Sequence, residues 1–411
     1  MSVKKRKAFI TLSMIVIVRL LAHIPVPWVD TGLVKYAYNY TLIEFSNIFS
    51  GGAIERFSVG AVGLSAYISA SILFQILSFF IPSIHKLSQS ASGQYMIKRT
   101  LWIAGIILSP IYSFATVYFM NKQYHILIDD TIQIYIGVAI IQCIGAIIYV
   151  SAGNIIDSMG IGNGVSTIIY VNILASIPST ISSVKYEFET EQIEVKSLYM
   201  SAAICLFVAL ITFISGRIEY RFPLSVPYDT FNTAEKKSFF LPFKVSFAGV
   251  MPMIYAQYLI SAIRIIGIWI GKGTIAETLV TAAETPASSM IIYIFAIVIF
   301  TVFIYKSTYD YDYISHMLNT SSCIIYGLMP GIETKNYIKD KCLSLFKWQL
   351  VIYVFIAFIP EIMSKIYKTH IGMAVSIAIV VDLTIELSIY IRNERQLSNL
   401  GIKQQNLFNN K

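Results

Sequence analysis

Apolar residues in this chain come in long runs rather than in the one-sided or alternating stripes of a water-soluble fold. Ten runs approach the roughly 20 residues a helix needs to cross a bilayer. They are 8–24, 61–81, 101–120, 132–150, 164–181, 197–215, 245–266, 288–305, 346–363 and 371–391. The pattern predicts ten transmembrane helices with both chain ends on one side. One stretch resists this reading. "NIFSGGAIERFS" (47–58) lies between the first two runs, broken by Gly51 and Gly52 and carrying Glu55 beside Arg56. It is too polar to face lipid and too apolar for a plain loop. No small-residue cleavage site follows the first run, so that run is expected to remain as a helix.

Composition agrees with the runs. Hydrophobic residues make up 56% of the 411 and charged residues only 13%, about half the charged share of a soluble domain. The net charge of +8 needs no nucleic acid, because cytoplasmic loops of membrane proteins collect Lys and Arg. With the N-terminus inside, 21 basic residues fall in inside segments and 9 in outside ones, Arg19 lying within the first run. Both termini are therefore expected in the cytoplasm. Two cytosolic loops are long, 216–244 and 306–345, and long polar loops are where a soluble partner docks.

Chemistry of the enzymatic kind is missing from the sequence. "GIWIGKGT" (267–274) has the wrong spacing for a phosphate-binding loop. The histidines 23, 85, 125, 316 and 370 are scattered. Cys143, Cys205, Cys323 and Cys342 form neither a metal-type cluster nor a CxxC pair. No catalytic residue, metal site or cofactor is expected. The spans carry weakly polar side chains instead: Ser69, Ser71 and Gln75 in the second, Ser166, Thr167 and Asn172 in the fifth, Gln257 in the seventh. Such faces suit either helix–helix packing or a wet path through the bundle. Asp382 and Glu386 share one face of the last run near its cytoplasmic end and read as an interfacial pair with access to solvent. The other midplanes are poor in charge, which argues against an ion-coupled secondary transporter of small solutes. A structural scaffold has no use for the pattern that follows.

"FSGGAIERFSVGAVGLSAYISASILFQIL" (49–77) resembles the plug and second helix of the SecY family of protein translocase subunits. Further matches follow in order: "RLLAHIPVPWVD" (19–30), "GIGNGVSTIIYVNILASIPS" (160–179), "LPFKVSFAGVMPMIYAQYLI" (241–260), "FIPEIM" (358–363) and "VVDLTIEL" (380–387). The resemblance implies an all-α integral membrane protein, a clamshell of ten transmembrane helices in two pseudo-symmetric halves of five. The halves are 1–185, holding a re-entrant plug half-helix at about 46–60, and 186–411. It also implies a passive channel for unfolded polypeptide, multi-pass in the bacterial plasma membrane.

Carried over position by position, the resemblance implies a pore ring of Leu64, Ile68, Val165, Ile169, Ile254 and Val375. All six are branched aliphatics, and 64/68 and 165/169 are one-turn pairs on their helices. A narrow apolar ring resists ion leak by dewetting. The implied plug is Phe49, Ser50, Gly51, Gly52, Ala53, Ile54, Glu55 and Arg56, with the two glycines as a weak helix interior and Glu55 and Arg56 in a wet outer cavity. The implied lateral gate is Ser71, Gln75 and Gln257, and motor docking falls to Arg217, Arg221, Lys236, Lys237, Lys335 and Lys339. Implied partners are a SecA-type ATPase, which would hydrolyse the ATP, small SecE-like and SecG-like subunits, unfolded preprotein with a signal peptide, and the lipid bilayer, with no nucleic acid.

Departures from the family pattern bear on which branch this is. Housekeeping members carry "GIRPG" in the loop where this chain reads "MPGIETKNYIKDK" (329–341), with Glu333 after the matched Pro330, Gly331 and Ile332. Ala66 stands where a proline is usual, and loop 216–244 is only mildly basic. These features resemble the accessory branch of Gram-positive bacteria, which exports serine-rich glycoprotein adhesins with a dedicated motor. The alternative is the housekeeping branch, serving general secretion and membrane insertion.

Overall fold

The computed structural model describes residues 3–34, 44–81, 83–84, 87, 90–190, 195–225, 239–270, 286–321, 323–325, 327–367 and 371–399. Ten long helices account for most of them: α1 (Val3–Leu21), α3 (Ser65–Phe80), α4 (Ala91–Tyr124), α5 (Ile132–Met159), α6 (Gly164–Glu189), α7 (Val195–Arg217), α8 (Met251–Ile270), α9 (Pro286–Thr308), α11 (Ile332–Tyr367) and α12 (Ile371–Asn399). Two short helices, α2 (Glu44–Ser50) and α10 (Tyr311–Thr320), and three strands make up the other elements among the described residues. Each long helix occupies one of the predicted apolar runs. Six spans among the described residues are long and apolar enough to cross a membrane; α3 and the described part of α8 are apolar but shorter.

Boundaries differ from the apolar runs for local reasons. The second run begins at residue 61, but α3 starts only at Ser65, because 51–64 are spent in turns. α4, with 34 residues, is about 50 Å long. It overshoots a hydrocarbon core of about 30 Å, so its first turns stand clear on the cytoplasmic side, where Ser90 caps it by accepting from the Gly93 N–H at 3.0 Å. The 36-residue α11 overshoots at the same side.

The long cytosolic loops are not all helix or connector, as an all-α reading expects. β1 (Glu219–Ser225) pairs antiparallel with β2 (Phe239–Lys244), in the register Tyr220–Phe243 and Phe222–Leu241, and with the two-residue β3 (Ile324–Ile325). Alternation sends Tyr220, Phe222 and Leu224 to one face. That face packs with Phe243, Leu318, Ile325, Ile338 and Cys342 into a cytoplasmic core against α10 and α11.

The main core runs through the bundle's middle, where α3, α5, α6, α8, α9, α11 and α12 converge. A second lies on the outer side, around Val26, Phe57, Val117, Ile126 and Val138. Outward-facing Leu12, Ile107, Ile111, Ile140, Ile144 and Leu210 remain exposed, as a lipid-covered surface requires. Many buried hydroxyls bond the carbonyl four residues back in their own helix: Ser109 to Gly105, Thr212 to Val208, Thr301 to Ile297. A serine so satisfied adds little stickiness to a helix face.

Candidate functional site

The segment at 47–58 is the least regular part of the interior. α2 stops at Ser50 because Gly51 and Gly52 both take positive φ, 68° and 82°. The Gly52 N–H donates to the Asn47 carbonyl (3.0 Å) and the Gly51 N–H to the Ile48 carbonyl (3.1 Å). This is a Schellman stop, which suits glycine because it lacks a Cβ. The glycines therefore lie past the helix end and not in a weak helix interior. Asn47 then clasps the turn: its Oδ1 accepts from the Glu55 N–H at 3.0 Å, and its Nδ2 donates to the Glu55 carboxylate at 3.4 Å. Ser50, Gly51, Gly52 and Ala53 are buried, while Ile54, Glu55 and Arg56 are half-buried. Glu55 and Arg56 each keep part of their surface exposed, while one Arg56 nitrogen, Nη1, is buried with no partner.

This segment bridges two cores. Ile48 and Phe49 belong to the central one. Phe57 belongs to the outer one, with Ile54 packed against it. The chain after the turn is stitched to the end of α1: Val26 N–H to Phe57 carbonyl (3.2 Å), Val59 N–H to Ile24 carbonyl (2.9 Å) and Gly60 N–H to Leu21 carbonyl (3.1 Å). α2 itself packs against α6, α8 and α12.

Those are the helices that carry most of the six aliphatics expected as a ring. Leu64 precedes α3, Ile68 is on it, Val165 and Ile169 are on α6, Ile254 is on α8 and Val375 is on α12. Five are buried in the same central cluster as Ile48 and Phe49, and Val165, half-buried, packs against that cluster. Residues from four separated stretches are thereby brought to one place, under the 47–58 segment. On the cytoplasmic side a cleft of about 260 Å³ opens beside them, lined by Lys98, Asp157, Asn163, Ser166, Glu386 and Tyr390.

The seam where α3 meets α8 and α9 holds part of the expected gate. Gln75 crosses it, its Nε2 donating to the Tyr255 hydroxyl at 3.3 Å. Ser71 is buried but bonds its own helix at the Tyr67 carbonyl; Gln257 is half-buried on α8. Aromatic contacts missed by the sequence reading do more here. Phe79 packs against Phe303 with centroids 4.4 Å apart and the rings inclined at 35°, and Lys306 Nζ lies 4.2 Å over the Phe79 ring. Ser69 serves packing: it accepts from the Tyr112 hydroxyl of α4 at 2.5 Å.

The expected docking cations are in mixed states. Arg217 and Lys339 are exposed. Arg221 is within 3.7 Å of the Glu219 carboxylate, and Lys335 is paired with Asp312. Lys236 and Lys237 lie outside the described residues. Glu333 accepts from the Met329 N–H at 3.3 Å, bracing its own loop. Of the acidic pair, Glu386 is exposed as expected but Asp382 is buried, its carboxylate close to the backbone at Gly216 and Gly249.

A SecY family model matches residues 58–388, most of the chain. The chain belongs to the SecY family. A protein translocase subunit SecY of Buchnera aphidicola subsp. Baizongia pistaciae is 27% identical over 416 residues, covering 97% of this chain and 94% of its own. Another from Staphylococcus epidermidis is 29% identical over 378 residues, covering 88% and 86%. Among solved structures, a protein-conducting channel aligns at TM-score 0.69 and 15% identity over 96% of this chain and 93% of its own. A SecY protein whose plug domain is described as stabilising the closed channel and keeping a membrane seal aligns at TM-score 0.66 and 16% identity, over the same shares of the two chains. These structures establish the SecY fold. As a SecY chain, this is the channel subunit of a protein translocation system, multi-pass in the plasma membrane and a passive conduit rather than an enzyme. The SecY resemblance in the motifs located the central cluster. It did not reveal Tyr255, Phe79, Phe303 or Lys306, whose partners are 180 or more residues away in sequence or on helices with no shared pattern.

Proposed function

We propose that Leu64, Ile68, Val165, Ile169, Ile254 and Val375 are the pore ring, that 49–56 is its plug, and that the seam of α3 against α8 and α9 is the lateral gate. The observation carrying this reading is the single buried cluster that joins ring aliphatics from α3, α6, α8 and α12 to Ile48 and Phe49 of the plug. The cleft beside Ser166 and Glu386 is then the cytoplasmic mouth, through which unfolded preprotein enters. The halves 1–185 and 186–411 move apart at the seam to admit a signal peptide. A SecA-type ATPase docks on the cytoplasmic sheet and α10, and SecE-like and SecG-like subunits brace the halves from the membrane.

The accessory branch is the finer reading, with serine-rich glycoprotein adhesins as the exported class. It is supported by the loop 329–341, where Glu333 is turned to bracing the loop and Lys335 is held by Asp312. This leaves a weakly cationic face, mismatched to a partner that selects positive charge.

Two experiments test these readings. Deleting 49–56 should raise ion conductance in planar bilayers; unchanged conductance removes the plug assignment. Loss of the gene should leave growth intact while one or a few glycoproteins fail to reach the surface, whereas lethality assigns the chain to the housekeeping branch.

A further inference from the structure

Beside the apolar packing of Ile48 and Phe49, the plug is hydrogen-bonded to α1 and α6 through its main chain. A helix end leaves its last carbonyls without partners in the helix, and α2 ends in the middle of the bundle. Two side chains reach the carbonyls left there. Asn172 Nδ2 of α6 donates to the Phe49 carbonyl at 3.0 Å. Arg19 Nη1 of α1 donates to the Gly51 carbonyl at 3.0 Å. Each donor is otherwise hard to explain. Arg19 is a cation inside an apolar span, half-buried. Asn172 is 2% exposed, and its Oδ1 is buried with no partner. A buried amide left half-satisfied is unfavourable, so its one bond has to matter for it to be tolerated.

We propose that Arg19 and Asn172 are positioning residues that form a two-point latch, holding the closed plug by the carbonyls of Gly51 and Phe49. The inference rests on the plug reading above and adds what keeps the plug in place. Because the acceptors are main-chain atoms, the latch does not depend on which side chains the plug carries. The charged arm is the stronger, since hydrogen bonds from an ionised donor are roughly twice as strong as neutral ones.

The test uses translocons containing the full chain in planar bilayers, with R19M, N172L, the double variant, R19K and the 49–56 deletion side by side. R19M is expected to raise open probability about tenfold or more, as loss of a charge-assisted bond implies. N172L is expected to raise it by less, and R19K to stay near the unsubstituted level. If the deletion leaks while R19M and N172L seal as well as the parent, the latch is overturned and the plug stands. If the deletion itself does not leak, the plug reading fails first. A second measurement covers variants that assemble poorly. Ala53 is fully buried, so A53C should resist a membrane-impermeant maleimide in intact cells and react several-fold faster with R19M added. Equal rates would overturn the latch.

Discussion

Gln75 and Tyr255 meet across the seam between α3 and α8, amide to hydroxyl at 3.3 Å, and they are not equivalent partners. The Gln75 Oε1 is already buried without a partner, so Q75L removes that existing penalty and thereby offsets part of the cost of orphaning the buried Tyr255 hydroxyl. Y255F instead leaves the whole Gln75 amide unsatisfied. Y255F should therefore loosen the seam by about 1–3 kcal/mol, Q75L by less, and the double variant should be near neutral. Crosslinking between cysteines placed on α3 and α9, in a chain lacking the four native cysteines, reads the closed population. Equal effects of the two single variants would contradict the asymmetry.

The same seam predicts a comparable role for Phe79. Its tilted ring contact with Phe303 and its position under Lys306 are worth about 0.5–1.5 kcal/mol and 0.5–1 kcal/mol respectively. F79A should shift the gate towards open by roughly tenfold, and F79L should recover part of the packing but none of the ring-specific share. If F79L matched the parent in the crosslinking assay, the contact would be plain apolar burial.

Ile254 is 1% exposed in the central cluster, where an amide would draw water into an apolar constriction. I254N should raise ion conductance through the resting channel, since dewetting fails once the ring holds a polar group, while I254L should seal as before. Single-channel recording separates the two. An I254N channel as tight as the parent would take Ile254 out of the ring.

The cytoplasmic sheet should behave as a separable unit. Phe222 is fully buried, with the rings of Tyr220, Phe243 and Tyr337 at 4.8, 5.1 and 5.9 Å. F222A should cost about 3–5 kcal/mol, enough to unpin the hairpin. Limited proteolysis should then cut near 219–244 while resting conductance is unchanged. Motor-driven export should fall in the same variant; full export from a cleavable hairpin would show that the motor docks elsewhere.

What was legible beforehand followed from physical scale. A bilayer demands long apolar runs, so the ten long helices could be read from the pattern, and the family motifs picked out aliphatics that the structure gathers in or against one central cluster. The strands of 219–244 were harder to read, since a hairpin on a loop is fixed by its packing on α10 and α11 and not by its own pattern. Arg19 and Asn172 looked like an oddity and a packing polar group because their partners are carbonyls, which every sequence has. Asp382 looked solvated because the backbone that covers it, at Gly216 and Gly249, comes from distant stretches.

Gly51 shows where pattern and structure give opposite signs. Read as a weak helix interior, it invites alanine, which would favour helix by about 0.5–1 kcal/mol and tighten the plug. In the structure it sits at φ 68°, past the end of α2, with a Cβ added there lying 3.1 Å from both the Asn172 Cα and its Oδ1. An L side chain is strained in that region, and the neighbour in the way includes main chain of α6, which cannot swing aside. G51A should therefore disturb both latch contacts at once and raise resting conductance. Gly52 has the same φ sign but open room, its nearest neighbour being Arg56 at 4.0 Å, so G52A should carry only the backbone strain and leak less than G51A. Conductance that falls in G51A would restore the helix-interior reading; the order G51A above G52A above parent supports the stop.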